Sequence, residues 1–346
     1  MFQRRRMTTN NGNNDSEYGP LSSGNVDISF NQKLVATDAS SGDTFGVSVA
    51  VDGDTIVVGN DYDSSDTMSN HGSAYVFERQ SSTSTPSTSS SSSWVQTQKL
   101  LTDVNDDHWF GNSVDIDGDT IVVGAKFYDS DGEYGNGCAY VFQKDEGQQW
   151  QQIQLLTSPQ PDSSDNFGEQ VAIHRDTIVV GERGGETNEQ EDTGAAHIFI
   201  RDGLSSSSPN DGPWTYQEQL IPLVPLQGDE LFGASVAIDH QDDDINGSIT
   251  CVVVGAPGDS PFFSGPGSAY VFQRGQTVTN DKRWDSGFLL TPQATMEDGD
   301  EFGYAVAIAG DTIAVANGRT TTEIFERTAP SINEWTRTQV LNHGLS

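Results

Sequence analysis

Side-chain oxygens are the groups of this chain best placed to do chemistry. From Asp242 to Thr250 the sequence Asp-Asp-Asp-Ile-Asn-Gly-Ser-Ile-Thr sets Asp242, Asp244, Asn246 and Thr250 at positions one, three, five and nine, with Gly247 at six. A glycine there permits the sharp turn that aims successive oxygens at a Ca²⁺ ion. Thr250 stands where a final carboxylate is expected, and Ser248 where an apolar residue pins such loops. Ca²⁺ held by Asp242, Asp244, Asn246, Ser248 and Thr250 is therefore the expected cofactor. A looser set, Asp129, Asp131 and Glu133, is a second candidate.

The balance of 17 Lys and Arg against 51 Asp and Glu gives a net charge of -34, which argues against nucleic acid, whose phosphates need basic clusters. The acids gather in turns, at Asp61 and Asp63, Asp106 and Asp107, Asp129, Asp131 and Glu133, Asp229 and Glu230, and Asp298 and Asp300. Two readings fit such turns. A face of one sign attracts cations or basic partners, while scattered acids also simply keep a surface soluble.

Nothing in the motifs points to catalysis. The histidines His71, His108, His174, His197, His240 and His343 show no metal-ligand spacing, and no Gly-x-Ser-x-Gly elbow occurs. His197 falls inside a strand and reads as a structural residue. Paired carboxylates could serve a glycosidase, but an acidic loop surface always offers such pairs. No catalytic residue and no enzyme are expected.

These loops are positioned by a repeat. Phe-Gly recurs at Phe45-Gly46, Phe110-Gly111, Phe167-Gly168, Phe232-Gly233 and Phe302-Gly303, each time followed by a short alternating run, an Asp-rich turn, a β-branched run and an aromatic run ending in Phe. Turns such as Asp52-Gly53-Asp54 and Asp117-Gly118-Asp119 favour tight hairpins, because their central residues tolerate positive φ. They are too short to wrap an ion. A fourth run carries a Trp six residues before a Leu, at Trp94/Leu100, Trp150/Leu156, Trp214/Leu220, Trp284/Leu290 and Trp335/Leu341. Even spacing predicts that both side chains share one strand face, packing between sheets. The result is an all-β fold, a β-propeller of about five four-stranded blades.

The pattern Phe-Gly-x-x-Val-Ala-Ile, Val-Val-Gly-Ala and Gly-Ser-Ala-Tyr-Val-Phe, complete at Phe232-Gly233, Gly255-Ala256-Pro257 and Gly267 to Phe272, resembles the FG-GAP repeats of integrin α-subunit propellers. The resemblance covers residues 28 to 341 and implies that the Phe-Gly strand is innermost and the Trp strand outermost. In such blades the acid-bearing loops open on one end. The resemblance thus implies a non-enzymatic, adhesion-type module whose acidic face engages a protein or glycan partner, aided by Ca²⁺, at the cell surface or outside the cell. The alternative is a propeller-based hydrolase or lyase acting on glycans or phospholipid anchors.

One strand is surplus in this count. Ile28 to Val35 resembles another fourth strand, so either five blades close into a ring with a terminal strand displaced or the chain is a segment of a longer propeller. The fifth repeat is degenerate, with Ala316-Asn317-Gly318-Arg319 in place of Val-Gly-Ala. Residues 1–24 lack apolar patterning and are expected to be a disordered arm, with the propeller over 25–344 as a monomer. Residues 81–93 and 204–213 read as low-complexity insertions. No signal peptide and no membrane-inserting segment are apparent. Cys138 and Cys251 are expected to be free, buried thiols.

Overall fold

Runs of β-branched and aromatic residues separated by two-residue turns fold, in this computed structural model, into five four-stranded antiparallel sheets, each in simple sequence order. The structure describes residues 32–342 apart from 64–70, 82–91, 103–107, 130–133, 188–192, 202–211, 225, 227–229, 244–246, 259–265, 276–282, 286, 293–299, 319 and 329–333. The chain divides into Met1–Lys33 and Leu34–Ser346, and the blades lie in the second unit. Blade one is β1 (Val49–Asp52), β2 (Thr55–Asn60), β3 (Ser73–Ser81) and β4 (Ser92–Leu100). Blade two is β5 (Phe110–Asp117), β6 (Thr120–Ala125), β7 (Cys138–Lys144) and β8 (Trp150–Leu156). Blade three is β9 (Phe167–His174), β10 (Thr177–Glu182), β11 (Ala195–Arg201) and β12 (Trp214–Gln219). Blade four is β13 (Ser235–Asp243), β14 (Gly247–Ala256), β15 (Ser268–Gly275) and β16 (Phe288–Leu290). Blade five is β17 (Ala305–Ala309), β18 (Thr312–Ala316), β19 (Thr321–Arg327) and β20 (Trp335–Asn342).

The Phe-Gly pair locks each blade to the one before it. Phe110, Phe167, Phe232 and Phe302 are wholly buried, and Phe110 meets Tyr140 and Phe142 edge-on at 5.3 and 6.0 Å. Their backbone N–H groups donate to the previous blade, to the carbonyls of His71, Asn136, Thr193 and Pro266. Parallel bridges pair Gly72 with Phe110, Gly137 with Phe167, Gly194 with Phe232 and Gly267 with Phe302. Gly111, Gly168, Gly233 and Gly303 take φ of 86–95° and lie so close to the preceding blade that a Cβ would overlap its backbone. Apolar clusters fill each seam, such as Val122, Ala139, Val141 and Leu156 of blade two against Phe167, Val171, Ile178 and Val180 of blade three.

The even Trp-to-Leu spacing does not put the two side chains on one face. Pairing shifts by one residue in the fourth strands of blades one, two, three and five; opposite β7, for example, Val141 faces Gln154 while Phe142 faces Gln152. The extra residue inverts the alternation. Trp150 therefore packs in the seam with blade one, and Leu156 in the seam with blade three. A basic residue at the end of each third strand covers the Trp ring, with Arg79, Lys144, Arg201, Arg274 and Arg327 at 4.4–5.6 Å from the ring centres.

Residues 32–36 form no strand. Leu34 and Ala36 instead cover Ile56, Val58, Tyr75 and Phe77 of blade one. Among the described residues, no bridge joins blade five to blade one. Both cysteines are free and buried, and the low-complexity insertions fall almost wholly outside the described residues.

Candidate functional site

Register makes the five blades directly comparable, and blade three departs from the others at two diagonal positions, Glu182 opposite Ala195 and His197 opposite Val180. The residue closing the second strand is Asn60, Ala125 or Ala256 in blades one, two and four, and the equivalent position just past the strand in blade five is Asn317, but blade three has Glu182. The third-strand residue beside it is Tyr75, Tyr140, Tyr270 or Glu323 elsewhere, but His197 here. An acid thus stands where the other blades have an amide or a methyl, and an imidazole where they have a phenol or, in blade five, the Glu323 carboxyl.

The two are 2 % and 3 % exposed, and His197 Nε2 lies 2.5 Å from Glu182 Oε2. Among the described residues Glu182 Oε1 and His197 Nδ1 have no partner, although both are buried. A buried polar atom left unpaired costs about 1–3 kcal/mol, so these two atoms are free to take a partner from the space beside them. Gly185 makes room for the carboxylate, since a Cβ there would fall 2.7 Å from Oε2. The turn after Glu182 is tied down on both sides. Thr187 Oγ1 donates to the Gly194 carbonyl at 2.6 Å, and Gln219 Nε2 donates to the Glu186 carbonyl at 2.5 Å.

The pair lines a cavity of about 230 Å³ with Ser158, Pro159, Gln160, Glu186, Tyr216 and Gln219. Glu186 is half-buried at its rim, which leaves two carboxyl groups in unlike surroundings. Behind the turn, Gly184 N–H donates to the Asp165 carbonyl at 2.9 Å. Burial, reinforced by the charges of Glu182 and Glu186, pushes the Asp165 carboxyl up to about 7. Burial and the Glu218 and Glu182 charges likewise raise the Tyr216 phenol.

Of the residues singled out in the sequence, only some are among the described ones. Asp242 and Asp243 pair with Ser248 and Gly247 in the β13–β14 ladder, so the connection shrinks to 244–246, which lie outside the described residues together with Asp244 and Asn246. The Thr250 hydroxyl lies within the sheet, 2.8 Å from His240 Nδ1. Of the proposed binding face, Asp106, Asp107, Asp131, Glu133, Asp229 and Asp298 lie outside the described residues. Asp61 and Asp63 are buried rather than presented to solvent. Asp61 accepts from Thr44, while Asp63 accepts from Ser73 and Tyr75 and pairs with Lys99 at 2.7 Å. Burial works to lower the Lys99 ammonium, but Asp38 and Asp63 outweigh it and raise its pKa. Asp129 accepts from its own loop at Gly135 N–H. The carbonyls of Glu230 and Asp300 accept from Gly258 and Gly318, joining the same two loops that Asp165 and Gly184 join in blade three.

Solved structures similar to this chain include the GH32 beta-fructofuranosidase BmSUC1 of Bombyx mori (13% identity, TM-score 0.39, 84% of this chain) and the periplasmic gluconolactonase PpgL of Pseudomonas aeruginosa (13%, 0.41, 86% of each chain). Saccharomyces cerevisiae Sqt1 is also similar (9% identity, TM-score 0.33, 86% of each chain). The chain spans 61% of the silkworm enzyme's length. No curated protein matches it.

The expectation of a non-enzymatic, adhesion-type module, and with it of no enzyme, is corrected at this point. The first two of these neighbours are enzymes by name, a beta-fructofuranosidase and a gluconolactonase. The sequence reading passed over Glu182 and took His197 as structural; aligning the repeats with one another is the signal that exposes both. The FG-GAP repeat model matches residues 28–77, 94–142 and 150–199, and blades four and five repeat the same strand order, so the chain is an FG-GAP repeat protein.

Proposed function

We propose that the chain is a propeller-based hydrolase whose site is the blade-three cavity and whose substrate is a glycan. The observation that carries this reading is the buried Glu182–His197 pair, installed in one blade only, with Oε1 and Nδ1 left unpaired. Two carboxyl groups in unlike surroundings divide the work of glycoside cleavage, one giving a proton to the leaving oxygen and the other activating water or the sugar carbon. Glu182 and Glu186 stand in those places. His197 holds Glu182 in position, and the proton retained on Asp165 near neutral pH avoids a third negative charge behind them.

The lining favours a sugar over a phospholipid head. Ser158, Gln160 and Gln219 offer hydroxyl and amide partners, and Tyr216 and Pro159 offer apolar surfaces on which a ring can rest. Among the described residues, no Lys or Arg lines the cavity to meet a phosphate. The test is release of 4-nitrophenol from a panel of 4-nitrophenyl glycosides by the intact chain and by Glu182→Gln. Loss of an acid or base group is expected to lower kcat by about 10²–10⁴-fold with the fold intact. Turnover that Glu182→Gln leaves unchanged, or no turnover of any member, sinks the reading.

A further inference from the structure

The seam between blades depends on two glycines in the earlier blade as well as the Phe-Gly of the later one. Gly59, Gly124, Gly181 and Gly255 lie against the carbonyls of Gly111, Gly168, Gly233 and Gly303 of the following blade. Gly72, Gly137, Gly194 and Gly267 lie against the backbone of the following Phe. At all eight a Cβ would overlap backbone, which cannot swing aside as a side chain can.

Blade five has neither glycine. Register places Ala316 opposite Thr322 where Gly255 is opposite Ala269, and Thr320 then falls where Gly267 stands. The face of blade five corresponding to the buried Val253, Ala269, Val271 and Leu290 of blade four is formed by Ala314, Thr322, Ile324 and Leu341, all half-buried or exposed. At the other end, blade one keeps its Phe-Gly: Gly46 has φ of 97° with nothing near its missing Cβ, and Val47, Val49 and Val51 are 49, 61 and 48 % exposed. Leu34 and Ala36 occupy only the rest of that face.

We propose that Ala316 and Thr320 are a steric stop that bars a Phe-Gly blade from docking on blade five, so that blade one, its own or that of a second copy, cannot add to the array. A repeat whose two ends fitted each other would either close or grow head to tail without limit. The methyl of Ala316 and the side chain of Thr320 fill the space that the incoming backbone takes at every internal seam. Leu34, lying on blade one, is the partial cover at the opposite end.

The test uses the full chain in four forms, with molar mass by light scattering over a hundredfold range of concentration and the unfolding midpoint as a check on folding. The wild type and Leu34→Ser are expected to stay monomeric, because blade five remains barred in both. Ala316→Gly/Thr320→Gly/Leu34→Ser is expected to show at least a doubling of mass with concentration, or a smaller radius if blade one closes on its own blade five. Adding Gly46→Val, which strains the dock, reverses either change. The proposal is overturned if the triple variant keeps the wild-type mass and radius throughout. It is equally overturned if Leu34→Ser associates as strongly as the triple variant, or if Gly46→Val fails to reverse the association.

Discussion

At the residue scale, the chain keeps an acid protonated where repetition alone would not require it. Asp165 stands two residues before its Phe, as do Asp43, His108, Glu230 and Asp300 in the other blades, so its presence follows the repeat. Its setting does not, because only here do Glu182 and Glu186 add their charge to the effect of burial. The folded-state pKa, about 7, lies above the ordinary 3.8. Folding thus favours the protonated form, and the stability it contributes is complete below about pH 4 and lost as pH rises through 7. Asp165→Asn should remove that loss, so its unfolding midpoint relative to wild type should climb between pH 4 and 7; a difference flat across that window counts against the shift. Asp115 offers a second instance, pushed by burial up to about 7 although Ile116 and Ile173 donate to it.

At the element scale, the hairpins, strand order and blade number were legible, because Asp-Gly turns and β-branched runs act over a few residues. The Trp face was not, since a one-residue bulge reverses alternation and leaves no mark in composition. Nor was the second latch between blades, which requires strands from two repeats to meet. Arg201 at the end of β11 covers Trp214 at 4.4 Å and reaches into blade two, donating to Gln143 at 2.9 Å and Thr120 at 2.8 Å. Lys144 reaches Glu78 of blade one, and Arg274 reaches Thr177 of blade three, in the same sense. Arg201→Ala should therefore lower stability by about 2–3 kcal/mol in chemical unfolding, losing two hydrogen bonds and the ring contact together. Arg201→Lys should recover only part of that, because an ammonium lacks the two-armed donor. Full recovery by Lys would reduce the latch to simple charge.

At the scale of the molecule, the site escaped notice because Glu182 and His197 are ordinary residues in a sequence of this length, and only the register of five superposed blades shows them to be exceptions. Charge, by contrast, was plain from composition, and its consequence is for stability as much as for partners. A chain carrying -34 with 17 basic residues, five of them stacked on tryptophans, has few cations left to offset its acids. Two effects of salt then oppose each other. Screening relieves repulsion among exposed acids, and it weakens ion pairs such as Lys99 with Asp38 and Asp63. Lys99 is shielded from solvent, so its pairs are screened far less than the open loops, and relief of repulsion should win. Raising NaCl from about 0.01 to 0.15 M, which shortens the screening length from about 30 to 8 Å, should thus raise the thermal midpoint. A midpoint that falls over that range would mean that ion pairing, and not repulsion, governs the balance of charge in these blades.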